Sequence, residues 1–278
     1  MRILIILLLS VLSLDTEAQT IQSNLTTSQI PVSFNYQRDF RAILEQTKDK
    51  NSNLYYQKLL IRFLDNDSSL TRAETLALLI GYTEDKHYKP YEDMGTEKEI
   101  FDMNDGGDYE GALDESKTYL QTHPVSLSVL KERSYSYHQL RKEDSAKFFM
   151  DLVDKVMNAM IYSGKGKTPE AAIFSLGLID GEHFIENVGM TVSNKTTSSP
   201  KSKVLMYMVD ALSDEGTHTT YYFNLQHARD KMNEDEIGEE PVTKAKKPKK
   251  ETRKEIKKDK KDSKKPVTDS IPPAPQGN

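Results

Sequence analysis

Several clusters in this chain carry residue types that do chemistry, and each is tested by its spacing. Gly164-Lys165-Gly166-Lys167-Thr168 ends in Gly-Lys-Thr, like a phosphate-binding loop. Such a loop needs another Gly five residues before the Gly of that ending, so that the backbone can wrap the phosphates. That position is Ile161, and a helical pattern stands where a strand is required; the segment reads as a linker. Asp102-Met103-Asn104-Asp105-Gly106-Gly107-Asp108 is acidic enough for a calcium loop. The fifth and twelfth positions, which must give an oxygen ligand and a bidentate Glu, are Gly106 and Leu113. Asp65-Asn66-Asp67-Ser68 fails likewise, with Leu70 and Leu76 at the sixth and twelfth positions. Both read as polar turns with helix caps, ahead of a loose surface calcium site at 102–108. The six His residues include no pair four apart enclosing a Glu, no Gly-x-Ser-x-Gly elbow occurs, and there is no Cys for a thiolate ligand or nucleophile. No cofactor, metal or catalytic residue is implied.

Tyr82, Tyr88 and Tyr91, set around Pro90, form the candidate binding patch. A Tyr ring offers an apolar face with a polar handle. The competing and favoured reading is that these rings staple a loop onto the core, the commoner use of aromatics. The other candidate is electrostatic. Residues 244–265 hold thirteen Lys or Arg against four Asp or Glu, a balance of +9 that leaves −14 on the rest of a chain whose formal charge is −5. Lys246, Lys247, Lys249, Lys250, Lys257, Lys258, Lys260 and Lys261 lie in this tail. Lys side chains attract anionic headgroups or polymers without fixed geometry; interspersed acids favour a solvated spacer over a hook. An acidic body with a basic tail is not the pattern of a specific nucleic-acid-binding domain.

The elements that must position these residues follow from periodicity. Arg2 and the apolar run Ile3–Leu12, with Ala18 before Gln19, describe a secretory signal peptide over residues 1–18. The stretch is too short to span a bilayer, so an exported chain starting near Gln19, periplasmic or extracellular, is expected. Residues 19–35, rich in Ser, Thr, Gln and Asn, read as a disordered spacer. Helical spacing then runs over 36–162. Thr71 with Glu74, and Thr96 with Glu99, match the capping box. Helices are expected from Asp108-Tyr109, broken at His123-Pro124, from Leu127, and from about Asp144. Beyond a loop at 163–166 the pattern turns strand-like: strands at 171–179, 203–209 and 218–225, a short helix near 182–188, and a covering helix near 226–232. Residues 234–278 read as a disordered Lys-rich tail.

Ala112 and Ala146 lie 34 residues apart, each opening a helix, with Tyr109 three before the first and Pro124 twelve after it. This resembles the tetratricopeptide repeat over about one and a half copies. Gly81-Tyr82-Thr83, Tyr88-Lys89-Pro90-Tyr91, the Gly107-Asp108-Tyr109 helix start, Ser163-Gly164-Lys165-Gly166-Lys167-Thr168, Glu182 with Phe184, and Tyr222-Phe223-Asn224 together resemble a domain-of-unknown-function family, number 4919, of secreted proteins mainly from Bacteroides-type bacteria. The resemblance covers about residues 36–232 and implies an envelope or secreted location, with no assigned chemistry.

The expected fold is α+β: a helical region over 36–162 with tetratricopeptide-like hairpins, then a small antiparallel sheet with a covering helix over 163–233. The expected function is a non-enzymatic binding module of the bacterial envelope or exterior. Its partner would be a protein or an anionic envelope polymer. The rivals are a hydrolase acting on an envelope polymer, with Glu182 or Asp210 in play, and a small-molecule carrier. No second apolar run reaches membrane-spanning length.

Overall fold

The computed structural model describes residues 33–198 and 204–238. The expected leader, most of the spacer and the Lys-rich run therefore lie outside the described residues. Helices come first and a sheet follows, so the class is α+β. Among the described residues no helix is long and apolar enough to cross a membrane.

Helix α1 (Tyr36–Lys48) starts at Asn35, whose side chain accepts from the Arg38 amide at 3.1 Å. Asp39 reaches back to the Asn35 amide at 2.7 Å, so two of the free donors of the first turn are satisfied. Helix α2 (Tyr56–Leu64) buries Leu59 and Phe63 and leaves Ile61 and Leu64 outward. Helix α3 (Arg72–Tyr82) begins at the Thr71/Glu74 capping box, as the spacing predicts. Its residues from Thr75 to Tyr82 are all buried, which makes it the central helix of the bundle. Helix α4 (Asp93–Asp105) starts three residues before Thr96, correcting the second expected box: Thr96 sits inside the helix, and Glu92 at its start makes no side-chain cap.

Helices α5 (Tyr109–Tyr119), α6 (Leu127–Gln139) and α7 (Glu143–Ser163) follow. Asp108 caps α5 through the Gly111 amide at 3.0 Å, and Ser126 caps α6 through the Val129 amide at 3.2 Å. Gly107, at φ +82°, turns the chain between α4 and α5 in a conformation open to Gly at no steric cost. Ala112 and Ala146 are both buried, on the second helices of the pairs α4/α5 and α6/α7. The Ser134 hydroxyl donates to the Ala146 carbonyl at 2.8 Å, so α6 and α7 approach closely there.

The apolar run at 171–179 is not one strand. A 3-10 turn (Pro169–Ala171) leads to strand β1 (Ile173–Phe174), and helix α8 (Leu178–Asn187) starts four residues later. The cause is Asp180, whose carboxylate accepts from the amides of Leu176 (3.0 Å) and Gly177 (3.1 Å) and caps α8 in the middle of the run. Strands β2 (Thr191–Ser198), β3 (Met206–Leu212) and β4 (His218–Asn224) form an antiparallel meander. Strand β1 pairs in parallel with β4, Ile173 opposite Phe223, so the sheet is mixed, in the order β1-β4-β3-β2. Strand β2, not expected from the sequence, is an exposed edge of Thr, Ser, Asn and Lys with a bulge between Val192 and Asn194. Such polar, bulged edges resist pairing with other chains. Helix α9 (Gln226–Gly238) closes the described chain.

One hydrophobic cluster runs from Ile43 and Leu44 through Leu76–Ile80 and Val153–Met160 to Ile173, Phe174, Phe223 and Ala228. Helices and sheet thus share a core. On the sheet, α8 packs the Phe184 ring edge-on against Phe223 at 5.6 Å.

Candidate functional site

Two cavities deserve a chemical reading, and both are bordered by α4. The first lies where the start of α4 meets the turn before α8. Tyr82 ends α3, and Tyr88 lies in the connection to α4; both rings are buried and meet edge-on at 5.6 Å. The Tyr88 hydroxyl donates to the Leu176 carbonyl at 2.6 Å and the Tyr82 hydroxyl to the Thr122 carbonyl at 3.3 Å. These two rings pin the loop to the core while forming one wall of the cavity; Tyr91 is 36% exposed and is not part of that wall. The cavity has about 40 Å³ of free space, room for a few water molecules and far below the size of a metabolite site.

The opposite wall is acidic. Asp93 and Glu97 come from α4, Asp180 from α8, and His123 and Ser126 from the α5–α6 connection. Glu97 Oε1 accepts from the Ser126 hydroxyl at 2.7 Å and the Tyr119 hydroxyl at 3.4 Å. Both His123 ring nitrogens face acceptors. Nδ1 lies 3.2 Å from the Tyr119 carbonyl, and Nε2 lies 2.9 Å from the His87 carbonyl and 3.3 Å from Asp93 Oδ1. The nearest partner of Nδ1 is the Thr122 hydroxyl at 2.8 Å, which can donate or accept. Burial works to lower the His123 pKa, but the hydrogen bond and charge of Asp93 outweigh it and the net shift is upward. Burial pushes the Glu97 carboxyl up to about 7, with Asp180 and Asp93 adding repulsion. Burial likewise raises Asp180 to about 6, against the pull of its two backbone donors.

The second cavity is an open groove of about 510 Å³ between α4, α6 and α7, within the range of ligand sites. Phe101, Tyr135 and Met150 line it with 49%, 44% and 41% of their surface exposed. Its floor is fixed by Asn104, which donates to the Glu132 carbonyl (3.0 Å) and carboxylate (2.9 Å) and accepts from the Ser136 hydroxyl (2.7 Å). The bordering cations are already engaged: Lys147 with Asp151 at 2.8 Å and Lys131 with Glu186 at 2.9 Å. Glu143 holds His138 at 3.0 Å, and among the described residues Asp105 has no ion-pair partner. Helices α4 and α6 also end here, at Asp105 and Gln139, with the negative ends of their dipoles. The groove is apolar with an acidic end.

The other candidates are dispersed. Glu182 clamps Lys195 at 2.8 Å and accepts from the Tyr207 hydroxyl at 2.8 Å. Asp210 accepts from Thr220 (2.6 Å) and Asn194 (3.1 Å). Neither lines either cavity. In the Gly164–Thr168 segment, Gly166 (φ +67°) ties the loop to the sheet: its amide donates to the Ala171 carbonyl at 2.7 Å, and its carbonyl accepts from the Tyr222 amide at 2.8 Å. Asp102 pairs with Lys98 and Asp108 caps α5. Among the described residues no group of three or more acidic or His side chains is placed to hold a metal ion. The eight tail Lys residues lie outside the described residues.

The family model for a domain of unknown function, DUF4919, matches residues 41–234, most of the chain. The chain belongs to the DUF4919 family. Both cavities fall inside the DUF4919 match, and no curated protein or solved structure matches the chain.

The sequence pointed to Tyr82 and Tyr88 but not to their acidic neighbours, nor to the groove. One signal for the groove was present. Ile100-Phe101 and Phe148-Phe149-Met150 set large apolar side chains next to each other in helices, where successive residues turn by about 100° and cannot all face one core.

Proposed function

We propose that this protein is an exported, non-enzymatic binding protein. Its α4–α6–α7 groove takes a polypeptide segment of an envelope or exterior partner, one that carries apolar side chains and a basic group. The groove carries the reading: three large apolar side chains stand exposed in a cavity of about 510 Å³, and the charge left at its end is acidic. Exposed apolar side chains gathered in one cavity mark interaction sites, and a charge left unpaired beside them selects a partner of opposite sign. Export rests on the leader-like run over residues 1–18. A hydrolase reading has one observation in its favour, the carboxyl of Glu97 beside the Asp93–His123 pair. A cavity of about 40 Å³ does not admit a polymer substrate.

The test uses two fluorescent peptides of equal apolar content, one with Lys and one with Glu, titrated by anisotropy against the mature chain and a Phe101→Ala/Tyr135→Ala variant. The Lys peptide should bind the native protein, and the Glu peptide and the variant should show at least a tenfold loss, about 1.4 kcal/mol. Equal binding of both peptides, or binding untouched by the double substitution, overturns the proposal.

A further inference from the structure

The acid pocket holds more negative charge than its surroundings can neutralise. Glu97 is faced by Asp93 from its own helix, Tyr82 from α3, Tyr88 from the α3–α4 connection, Tyr119 from α5, His123 from the α5–α6 connection and Asp180 from α8. With Glu97 itself, that is three carboxyls, three phenols and one imidazole. His123 is committed to Asp93, and Asp180 is committed to capping α8. Among the described residues no Lys or Arg lines this pocket, so no cation remains for Glu97. Glu97 is half-buried, has only the neutral donors Ser126 and Tyr119, and lies beside two other carboxyls, so its charged form is disfavoured and the pocket packs best while Glu97 carries a proton.

We propose that this pocket is a proton-operated latch on α4: protonated Glu97 holds the start of the helix against Tyr119 of α5 and Ser126 of the α5–α6 connection, and loss of the proton, which puts a charge beside Asp93 and Asp180, loosens that contact. The position of Glu97 gives the latch a reach. Asp93, Glu97, Phe101 and Asp105 follow one another at intervals of four, so a single ridge of α4 lines the acid pocket at one end and the groove at the other. The latch stands on the pocket alone; only its effect on the groove rests on the binding function proposed above.

The sign follows from linkage. A carboxyl raised in the folded state contributes most stability below its ordinary pKa near 4.5 and loses it as pH climbs to about 7. Deprotonation of His123 as pH rises removes the charge that faces Asp93 and acts in the same direction.

Hydrogen exchange of the α4 amides, corrected for intrinsic rates, is compared at pH 5.5 and 8.5 in the native protein and in Glu97→Gln, which keeps the shape and removes the titration. Protection in the native protein should fall at least about tenfold over this range, and Glu97→Gln should lose distinctly less, the remainder coming from Asp180 and His123. An equal fall in both proteins overturns the latch. If Glu97→Gln does not fold, carbon NMR of the Glu97 carboxyl decides: a midpoint in the ordinary Glu range overturns it, and one near neutrality supports it. Peptide affinity measured in the same samples separates the two ideas. A latch that titrates while no peptide binds removes the groove and leaves the latch standing.

Discussion

The acid pocket and the groove are built on one ridge of one helix, yet they use the same chemistry in opposite ways. Glu97 lies under Tyr82, Tyr88 and Tyr119, where burial makes its charge costly. Asp105, two turns later, is exposed to water with no ion pair among the described residues, where its charge costs little and can act on a distant cation. The pocket is small and spends its polar groups on each other; the groove is large and leaves apolar surface and charge unspent. The comparison teaches that a carboxylate on α4 is defined by what covers it rather than by its residue type.

Breaking the comparison is most direct at the aromatic walls. Tyr88→Ala removes a buried ring together with its hydrogen bond to Leu176, and should destabilise the fold by about 3–5 kcal/mol. Tyr135→Ala, in the open groove, should stay within about 0.5 kcal/mol. Urea unfolding measures both, and similar losses would mean that the groove is part of the core. The pH response of the pocket can be sharpened against His227. That ring is buried in a stack with Phe174 (4.5 Å) and Phe40 (5.7 Å) and is held neutral by burial, its pKa lowered to about 3. A His depressed in the fold contributes stability above its ordinary pKa near 6.5, lost as pH falls toward 3. Melting temperature should therefore decline on the acid side in native protein and Glu97→Gln alike, while between pH 4.5 and 7 the native protein loses more than Glu97→Gln, the shared part coming from Asp180. Identical profiles in the two proteins would erase the distinction. The smallest effect on the fold is expected at the acidic end of the groove. Asp105→Lys with Glu143→Lys should change unfolding free energy by under about 1 kcal/mol and weaken the Lys peptide roughly tenfold or more. An unchanged affinity would show that the acidic end plays no part in binding.

What the sequence made legible was local. The Thr71/Glu74 box, the Asp108 start of α5 and the break at His123-Pro124 involve residues within one turn of each other, so their meaning survives without tertiary context. The Thr96/Glu99 pair had the same spelling and a different outcome, because α4 begins at Asp93 and carries both into its interior. Strand β2 was invisible because an exposed edge needs no apolar alternation, and the run at 171–179 was split by the side chain of Asp180 folding back on it. At the site, Tyr82 and Tyr88 stood out by type. Glu97, His123 and Asp180 did not, since they come from segments far apart in the chain and gain their meaning only by meeting under the same rings.

His227 also sets the order of assembly. Its ring touches Tyr36 and Phe40 of α1, Tyr88 and Phe174, and its Nδ1 faces the Tyr36 hydroxyl across 191 residues of chain. The first described helix thus meets this partner only after residue 227 has been made. Until then the Tyr36–Phe40 end of α1 lacks the ring it stacks on, although Ile43 and Leu44 can already pack on α3. A chain cut anywhere before residue 227 leaves that stack unmade, and the helical half is not expected to survive as a free-standing fragment.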